Sequence, residues 1–320
     1  MDALLIMLRN VILFVSLAVP GFLLVRSGQL KPEGSGPLSK LLMYVGMPFL
    51  ILTSCINNLS FDKELLVTLV LTAVVGAVFI LVMFVTSAPL SAAEKQEKTR
   101  GMMRFCAVFP NNGFLGIPLA MSVFGADSPV MTVLIMLNII SNILMYTLGI
   151  YLVSGDRSRI SLKKAFLNPV LIAFIAGILL NLLNVKSYIP ELAAYSTHFS
   201  NIVTPISMTI LGMKLGGVKL KTLFGSWRTY YVSALRLAAY PLVITAALLA
   251  AKALLPGGIV DANMILGFFI AFAMPTAGLA STFADSFGGD TDSSVAFTLG
   301  TTLISVVTIP VLYSILCLGL

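Results

Sequence analysis

The chain has 320 residues, 58% hydrophobic and only 10% charged, with a mean hydropathy of +1.01. So few charges cannot cover a water-soluble globule, which excludes the soluble fold classes and indicates an integral membrane protein surrounded by lipid bilayer. The formal net charge of +7 does not call for a nucleic-acid partner, because the basic residues stand in short clusters between apolar runs and not on one polar surface.

Apolar runs of membrane-spanning length fall at Ala3–Val25, Leu38–Ile56, Leu65–Thr86, Met103–Phe124, Val130–Val153, Pro169–Leu183, Leu192–Leu215, Tyr230–Leu255, Ala262–Phe283 and Ser294–Leu318. They predict an all-α integral membrane fold of ten transmembrane helices, with residues 1–320 forming a single membrane transport domain. The first run is too long for a signal peptide's apolar region and has no basic stretch before it, so it is read as the first membrane helix. Cys55, Cys106 and Cys317 lie inside apolar runs without paired spacing, and His198 is the single histidine. Neither a disulfide framework nor a Cys/His metal site follows from them, and no cofactor is expected.

The fourth run is broken by Pro110-Asn111-Asn112-Gly113. Pro removes an N–H donor and Gly accepts left-handed backbone, so these residues end one helix and begin another in the middle of a span. Irregular backbone at that depth is tolerated only against protein or a water-filled cavity. The ninth run carries a matching break at Pro275-Thr276-Ala277-Gly278, and Phe124-Gly-Ala-Asp127 after the first break matches Phe287-Gly-Gly-Asp290 after the second. Pro48 in the second run and Pro205 in the seventh also correspond. The chain therefore reads as two five-helix repeats, about 1–153 and 169–320, and the odd number of spans makes them inverted. At 1.5 Å per residue, about 10 Å of helix separates Met103 from Pro110 and about 20 Å separates Ala262 from Pro275, so both breaks fall near the middle of a roughly 30 Å core, where helices 4 and 9 would cross and present unpaired backbone groups to a shared cavity.

Loop charge sets the orientation. With the N-terminus outside, cytoplasmic loops hold Arg26, Lys31 and Lys40; Lys95, Lys98, Arg100 and Arg104; Arg157, Arg159, Lys163 and Lys164; and Lys214, Lys219, Lys221 and Arg228, which is fifteen of the twenty basic residues. Only Lys63, Lys186 and Lys252 fall on the other side, so both termini are expected outside. Arg9 and Arg236 lie within spans and are read as snorkelling or interface residues.

Substrate chemistry follows from the breaks. The half-helices after Gly113 and Gly278 each begin with free N–H groups and about half a positive charge, an arrangement that favours a carboxylate. Asn111 and Asn112 add amides and Thr276 a hydroxyl, beside the backbone of Ala277. Asn138, Ser141 and Asn142 form a stripe on helix 5, and Thr298, Thr301, Thr302 and Ser305 repeat it on helix 10. These stripes are either interhelical hydrogen-bond contacts or cavity lining, with Asn138 and Asn142 the better candidates for binding. No Asp or Glu lies deep in a span; Asp285, Asp290 and Asp292 gather near the cytoplasmic end of helix 9.

Pro110-Asn-Asn-Gly-Phe-Leu-Gly-Ile-Pro118, Met274-Pro-Thr-Ala-Gly278 with the following Gly288-Gly-Asp290, and the ten-span layout together resemble the auxin efflux carrier family over nearly the whole chain. The resemblance implies crossing helices 4 and 9, an elevator-like movement, often a homodimer, and organic-anion substrates: auxin in plants and small carboxylates such as malate or malonate in bacteria. Only Ser154 to Asn168 stand where many plant members carry a long loop, which points to a compact bacterial-type permease of the plasma membrane and away from auxin. The sodium- or proton-coupled symporters of the bile-acid type share the crossed architecture and remain the alternative. An intramembrane hydrolase would need a nucleophile–base pair, paired aspartates or a zinc motif, and a membrane sensor an output domain; neither is visible in the sequence.

Overall fold

The computed structural model describes residues 2–58, 63–125, 128–160, 163, 166–219, 223–255 and 259–319. Asp127, Lys164 and Lys221, which enter the sequence reading, lie outside them. The first part of the chain forms α1 (Asp2–Ser16), α2 (Val19–Arg26), α3 (Ser35–Leu41), α4 (Met47–Asn58), α5 (Lys63–Leu90), α6 (Glu97–Val108), α7 (Ile117–Phe124), α8 (Pro129–Leu144) and α9 (Ile150–Ser154). The second part forms α10 (Pro169–Leu182), α11 (Val185–Tyr188), α12 (Pro190–Ser200), α13 (Val203–Gly216), α14 (Trp227–Ala234), α15 (Tyr240–Leu254), α16 (Ala262–Ala273), α17 (Ala280–Phe287) and α18 (Thr291–Gly319). Among the described residues the fold is helical throughout, and its one extended contact is an antiparallel bridge between Pro110 and Thr276.

Six stretches are long and apolar enough to cross a bilayer: Met7–Arg26, Pro32–Ile56, Leu65–Leu90, Pro129–Ser154, Trp227–Leu254 and Thr291–Gly319. Shorter apolar helices run over Asn112–Phe124, Pro169–Leu182 and Ala262–Ala273. The α5 helix turns Val70, Val74, Val78, Leu81 and Val85 outward along one face. A stripe of that length would aggregate in water and is at rest in hydrocarbon.

Two of the predicted continuous spans are interrupted. The seventh divides at Asn201-Ile202 between α12 and α13, and the first bends at Leu17-Ala18 between α1 and α2. In each case a proline, Pro205 or Pro20, sits in the first turn of the resumed helix, where its missing N–H costs nothing. The bent α2 packs closely on α13: a Cβ added at Gly21 would lie 2.1 Å from the Thr209 carbonyl oxygen, and one at Gly212 would lie 1.9 Å from that of Ala18. Only glycine lets these backbones approach so closely, the usual means of joining helices where lipid removes the hydrophobic drive.

The helices pack in two groups. In one, α4 packs on α10 and α12, and α13 on α2 and α3. Polar bonds tie it as well: Thr53 Oγ1 donates to Ser196 Oγ (2.9 Å) and Asn181 Nδ2 to the Cys55 carbonyl (2.9 Å). In the other, α8 packs on α5 and α16, α15 on α16, α6 on α9, and α18 on α1, α14 and α17. At the end of this group where α6 begins, Arg228 pairs with the buried Glu94, and Thr99 Oγ1 donates to Asp290 Oδ2 (2.6 Å). The Arg228 hydrogen bond, helped by the Gln96 amide, holds the Glu94 carboxyl below its ordinary range.

Candidate functional site

The two breaks fall where the sequence puts them, and they meet. Helix α6 ends at Val108, and the chain passes through extended backbone at Phe109 before Asn111 starts the next half-helix. Helix α16 ends at Ala273 and α17 begins at Ala280. Between the breaks, Asn111 N donates to the Pro275 carbonyl (2.8 Å) and Ala277 N to the Phe109 carbonyl (2.9 Å). The expectation that the breaks offer unpaired backbone to the cavity is corrected in part: these four groups are paired. Where the two segments cross antiparallel, two of the freed N–H groups and two carbonyls are satisfied by the other segment, which leaves the helix-end carbonyls and the half-helix N-termini to other partners.

The half-helix beyond the first break opens with a widened turn, Asn112–Gly116, in which Gly116 N reaches back to the Asn111 carbonyl (3.0 Å). Similar turns occur at Leu42–Gly46, Met145–Gly149 and Leu235–Ala239. Such turns shift the side chains that follow them and are frequent at functional sites. Gly125 and Gly288 close the two half-helices with φ of 85° and 80°. A backbone angle in that range favours glycine, which explains the matching Phe-Gly sequences at 124 and 287.

Arg236 lies in the widened turn at Leu235–Ala239 and is completely buried. Its Nε donates to the Met274 carbonyl (2.9 Å), Nη1 to those of Ala107 (3.2 Å) and Val108 (3.1 Å), and Nη2 to that of Phe272 (2.6 Å). The snorkelling role expected from sequence is therefore corrected, because the guanidinium never reaches an interface. It joins the C-terminal ends of α6 and α16. Each such end carries orphan carbonyls and roughly half a negative charge, so one guanidinium roughly neutralises both. Arg9 is exposed on α1, as an interface residue would be, and His198 is exposed on α12.

Two cavities flank the crossing and share Asn111, Phe114 and Gly278 as a common wall. The first is partly open and is lined by Met43 and Met47, by Pro110, Gly113, Ala277 and Leu279 of the breaks, by Asn138, Ser141, Asn142, Met145 and Tyr146, and by Asn168. Asn142 Nδ2 donates to the Asn138 backbone carbonyl (2.8 Å) and to Asn138 Oδ1 (3.1 Å). Asn138 Nδ2, buried in this wall, has no partner among the described residues. The second, smaller cavity lies between the crossing, Ser207, Ile210, Leu211 and Lys214 of α13, and Thr298, Leu299 and Thr302 of α18.

The predicted site residues divide accordingly. Asn111, Gly113, Ala277, Gly278, Asn138 and Asn142 come together at the first cavity, with Pro110. Asn111, one of the two amides read as site residues, lines both cavities while its Oδ1 accepts from Phe114 N (3.3 Å). Asn112, the other amide of that reading, lines neither; it is 2% exposed and its Oδ1 is unpartnered among the described residues. Thr276 is fully buried: its hydroxyl donates to the Cys106 carbonyl (2.9 Å) and its N–H to Thr301 Oγ1 (3.2 Å). Its role is thus to fasten the crossing. Pro275 contributes its carbonyl to the bridge and lines neither cavity.

Of the lining residues that were missed, Asn168 and Lys214 matter most to the chemistry. Asn168 caps α10 through Oδ1 to Val170 N (2.9 Å) and turns into the first cavity, a position its place before Pro169 signals. Lys214, counted among loop charges, belongs to α13 and donates from Nζ to the Gly278 carbonyl (3.2 Å). Its place inside the apolar run ending at Leu215 was the available signal.

The family model described as membrane transport protein matches the chain twice, over residues 6–162 and 156–313. The chain is also similar to an uncharacterized transporter of Methanothermobacter thermautotrophicus, with 27% identity over 213 residues that cover 65% of this chain and 67% of the relative. A second uncharacterized transporter, from Methanocaldococcus jannaschii, is 28% identical over 220 residues, covering 66% and 70% of the two chains. With matches that together span most of its length, the chain is a transport protein and not an enzyme, and it belongs to the auxin efflux carrier-type family of membrane transport proteins.

Proposed function

We propose that the protein is a secondary carrier of small organic anions in the plasma membrane, in which the crossed half-helices move in an elevator-like manner against a supporting group of helices. The observation that carries this reading is the crossing itself: two interrupted helices bridged at Pro110 and Thr276, with a cavity carrying polar side chains on either side. Half-helix N-termini at Gly113–Phe114 and Gly278–Leu279 abut the first cavity, whose lining is otherwise amide, hydroxyl and apolar. Such a surface offers hydrogen-bond donors and positive helix ends to an anion. The separation of the packing into an α4/α10/α12/α13 group and an α5/α8/α16/α18 group, which meet across these cavities, supports movement of one against the other.

The ten spans form two inverted five-helix repeats, about 1–153 and 169–320, with both termini outside. This rests on the paired breaks, the left-handed Gly125 and Gly288, the two consecutive family matches and the loop charges. Lys214 leaves that charge count, and fourteen of twenty basic residues still fall on the cytoplasmic side. Transport is uncoupled from sodium and protons at the crossing. The C-terminal helix ends that would coordinate a cation in a symporter of the bile-acid type are occupied here by Arg236.

Proteoliposomes loaded with labelled mono- and dicarboxylates test the reading. Efflux of a monoanion should follow a potassium-diffusion potential, since 100 mV is worth about 2.3 kcal/mol per charge, or roughly 50-fold in gradient. Flux that ignores the potential and follows a sodium or proton gradient refutes the uncoupled form, and transport of none of these anions refutes the carrier reading.

A further inference from the structure

Lys214 is the only charged side chain lining either cavity at the crossing among the described residues. Its ammonium has a single neutral partner, the Gly278 carbonyl at 3.2 Å, and makes none of the ion pairs found among the described residues. An ammonium held half-buried within a membrane protein is costly without a counter-charge. Independently, Thr298 lines the same cavity; the residue is 8% exposed, and its buried Oγ1 has no hydrogen-bond partner among the described residues. The other hydroxyls there are committed: Ser207 donates to the Thr204 carbonyl (3.0 Å) and Thr302 to that of Thr298 (2.7 Å). Across the wall, Asn111 Nδ2 stands 3.2 Å from where a Cβ on Gly278 would lie. The lining thus gathers an ammonium with N–H groups to spare, an unused O–H and an amide N–H, with no carboxylate to accept from them.

We propose that the cavity between α13, α18 and the crossing is a carboxylate-binding site, distinct from the amide-lined cavity, in which Lys214 supplies the counter-charge and Thr298 a hydroxyl donor. The carboxylate takes the ammonium from the Gly278 carbonyl. Because α13 belongs to one helix group and Gly278 to the crossing, an occupied site exchanges a direct link between the groups for one made through the ligand. The inference deepens the anion-carrier reading by moving the charge recognition of that site to the α13 side.

The test uses the purified full-length chain in detergent, with sodium acetate and sodium succinate as probes against sodium chloride of equal ionic strength, and thermal stabilisation as the readout. Wild type should be stabilised by at least one carboxylate beyond chloride. Loss of a hydrogen bond to a charged group predicts that Lys214→Gln raises the half-saturating concentration about 10- to 100-fold. Lys214→Arg should retain most of the affinity, and Arg9→Gln, which removes an exposed charge elsewhere, should leave it unchanged. Should Lys214→Gln not fold, Thr298→Val carries the test, with a smaller loss expected at constant charge. A wild type indifferent to both carboxylates, or folded Lys214→Gln or Thr298→Val protein that binds like wild type, overturns the site. If such variants bind normally while wild type carries organic anions, the site alone fails. Lys214-dependent binding without carboxylate flux by wild type would instead refute the carrier reading alone.

Discussion

Replacing Arg236 by Met keeps an extended side chain and removes the guanidinium that joins the two broken helices. Four carbonyls, those of Ala107, Val108, Phe272 and Met274, lose their donor in a site that is completely buried. A buried acceptor left unpaired costs about 1–3 kcal/mol, so the low end already gives about 4 kcal/mol for four. Four unpaired acceptors cost about 4–12 kcal/mol in all, and removing a desolvated charge offsets much of this, so a net loss of about 3–5 kcal/mol is expected. At about 2 °C per kcal/mol for a chain of this size, the melting temperature should fall by roughly 6–10 °C. Thermal denaturation of detergent-purified protein, monitored with size exclusion to confirm folding, measures the effect. Arg236→Lys should lie between, since one ammonium has three donors on a single point and cannot span both helix ends. A sharper consequence concerns sodium. The vacated carbonyl cluster of Arg236→Ala is a cation-coordinating surface, so this variant should acquire sodium-dependent stabilisation that wild type lacks. An Arg236→Met protein as stable as wild type, or an Arg236→Ala protein as indifferent to sodium as wild type, refutes the view that Arg236 holds the place of a coupling cation.

Asn111→Ala should weaken carboxylate binding about 10- to 150-fold and lose about 1 kcal/mol of capping, while Asn112→Ala, whose Oδ1 is already unpartnered, should bind nearly as wild type; calorimetric titration separates them, and the reverse order refutes the cavity assignment. Glu94 is held below its ordinary value of 4.5 chiefly by the Arg228 hydrogen bond. A depressed carboxyl stabilises the fold above its unfolded pKa and loses that contribution as pH falls through the folded pKa, so melting temperature should drop on acidification below about pH 4.5. Glu94→Gln should show a shallower drop over the same window, and an identical profile for the two proteins refutes the linkage. Reporters fused after Leu320 should be active only outside the cytoplasm; activity inside overturns both the orientation and the inverted repeat.

Hydrophobicity and proline placement fixed much of this molecule without any knowledge of its packing. Runs of apolar residues too long for a soluble core set the class, and Pro110 and Pro275 each had to end a helix because proline has no N–H to give and clashes with the preceding turn. Both breaks, and the Asn138 and Asn142 stripe, were therefore legible in the chain. Pairing and direction were not. Whether Asn111 or Asn112 faces a cavity depends on the bridge to Pro275 and the widened turn that follows it, which rotate one amide outward and the other in. The sequence shows Arg236 and Lys214 only as charges near apolar residues, a pattern equally suited to snorkelling, to a loop or to a buried role. Their roles come from contacts 36 to 129 residues distant, where carbonyls released by one pair of helices meet side chains of another. Local composition decides where hydrogen bonds must be broken, and only the assembled structure decides which groups satisfy them.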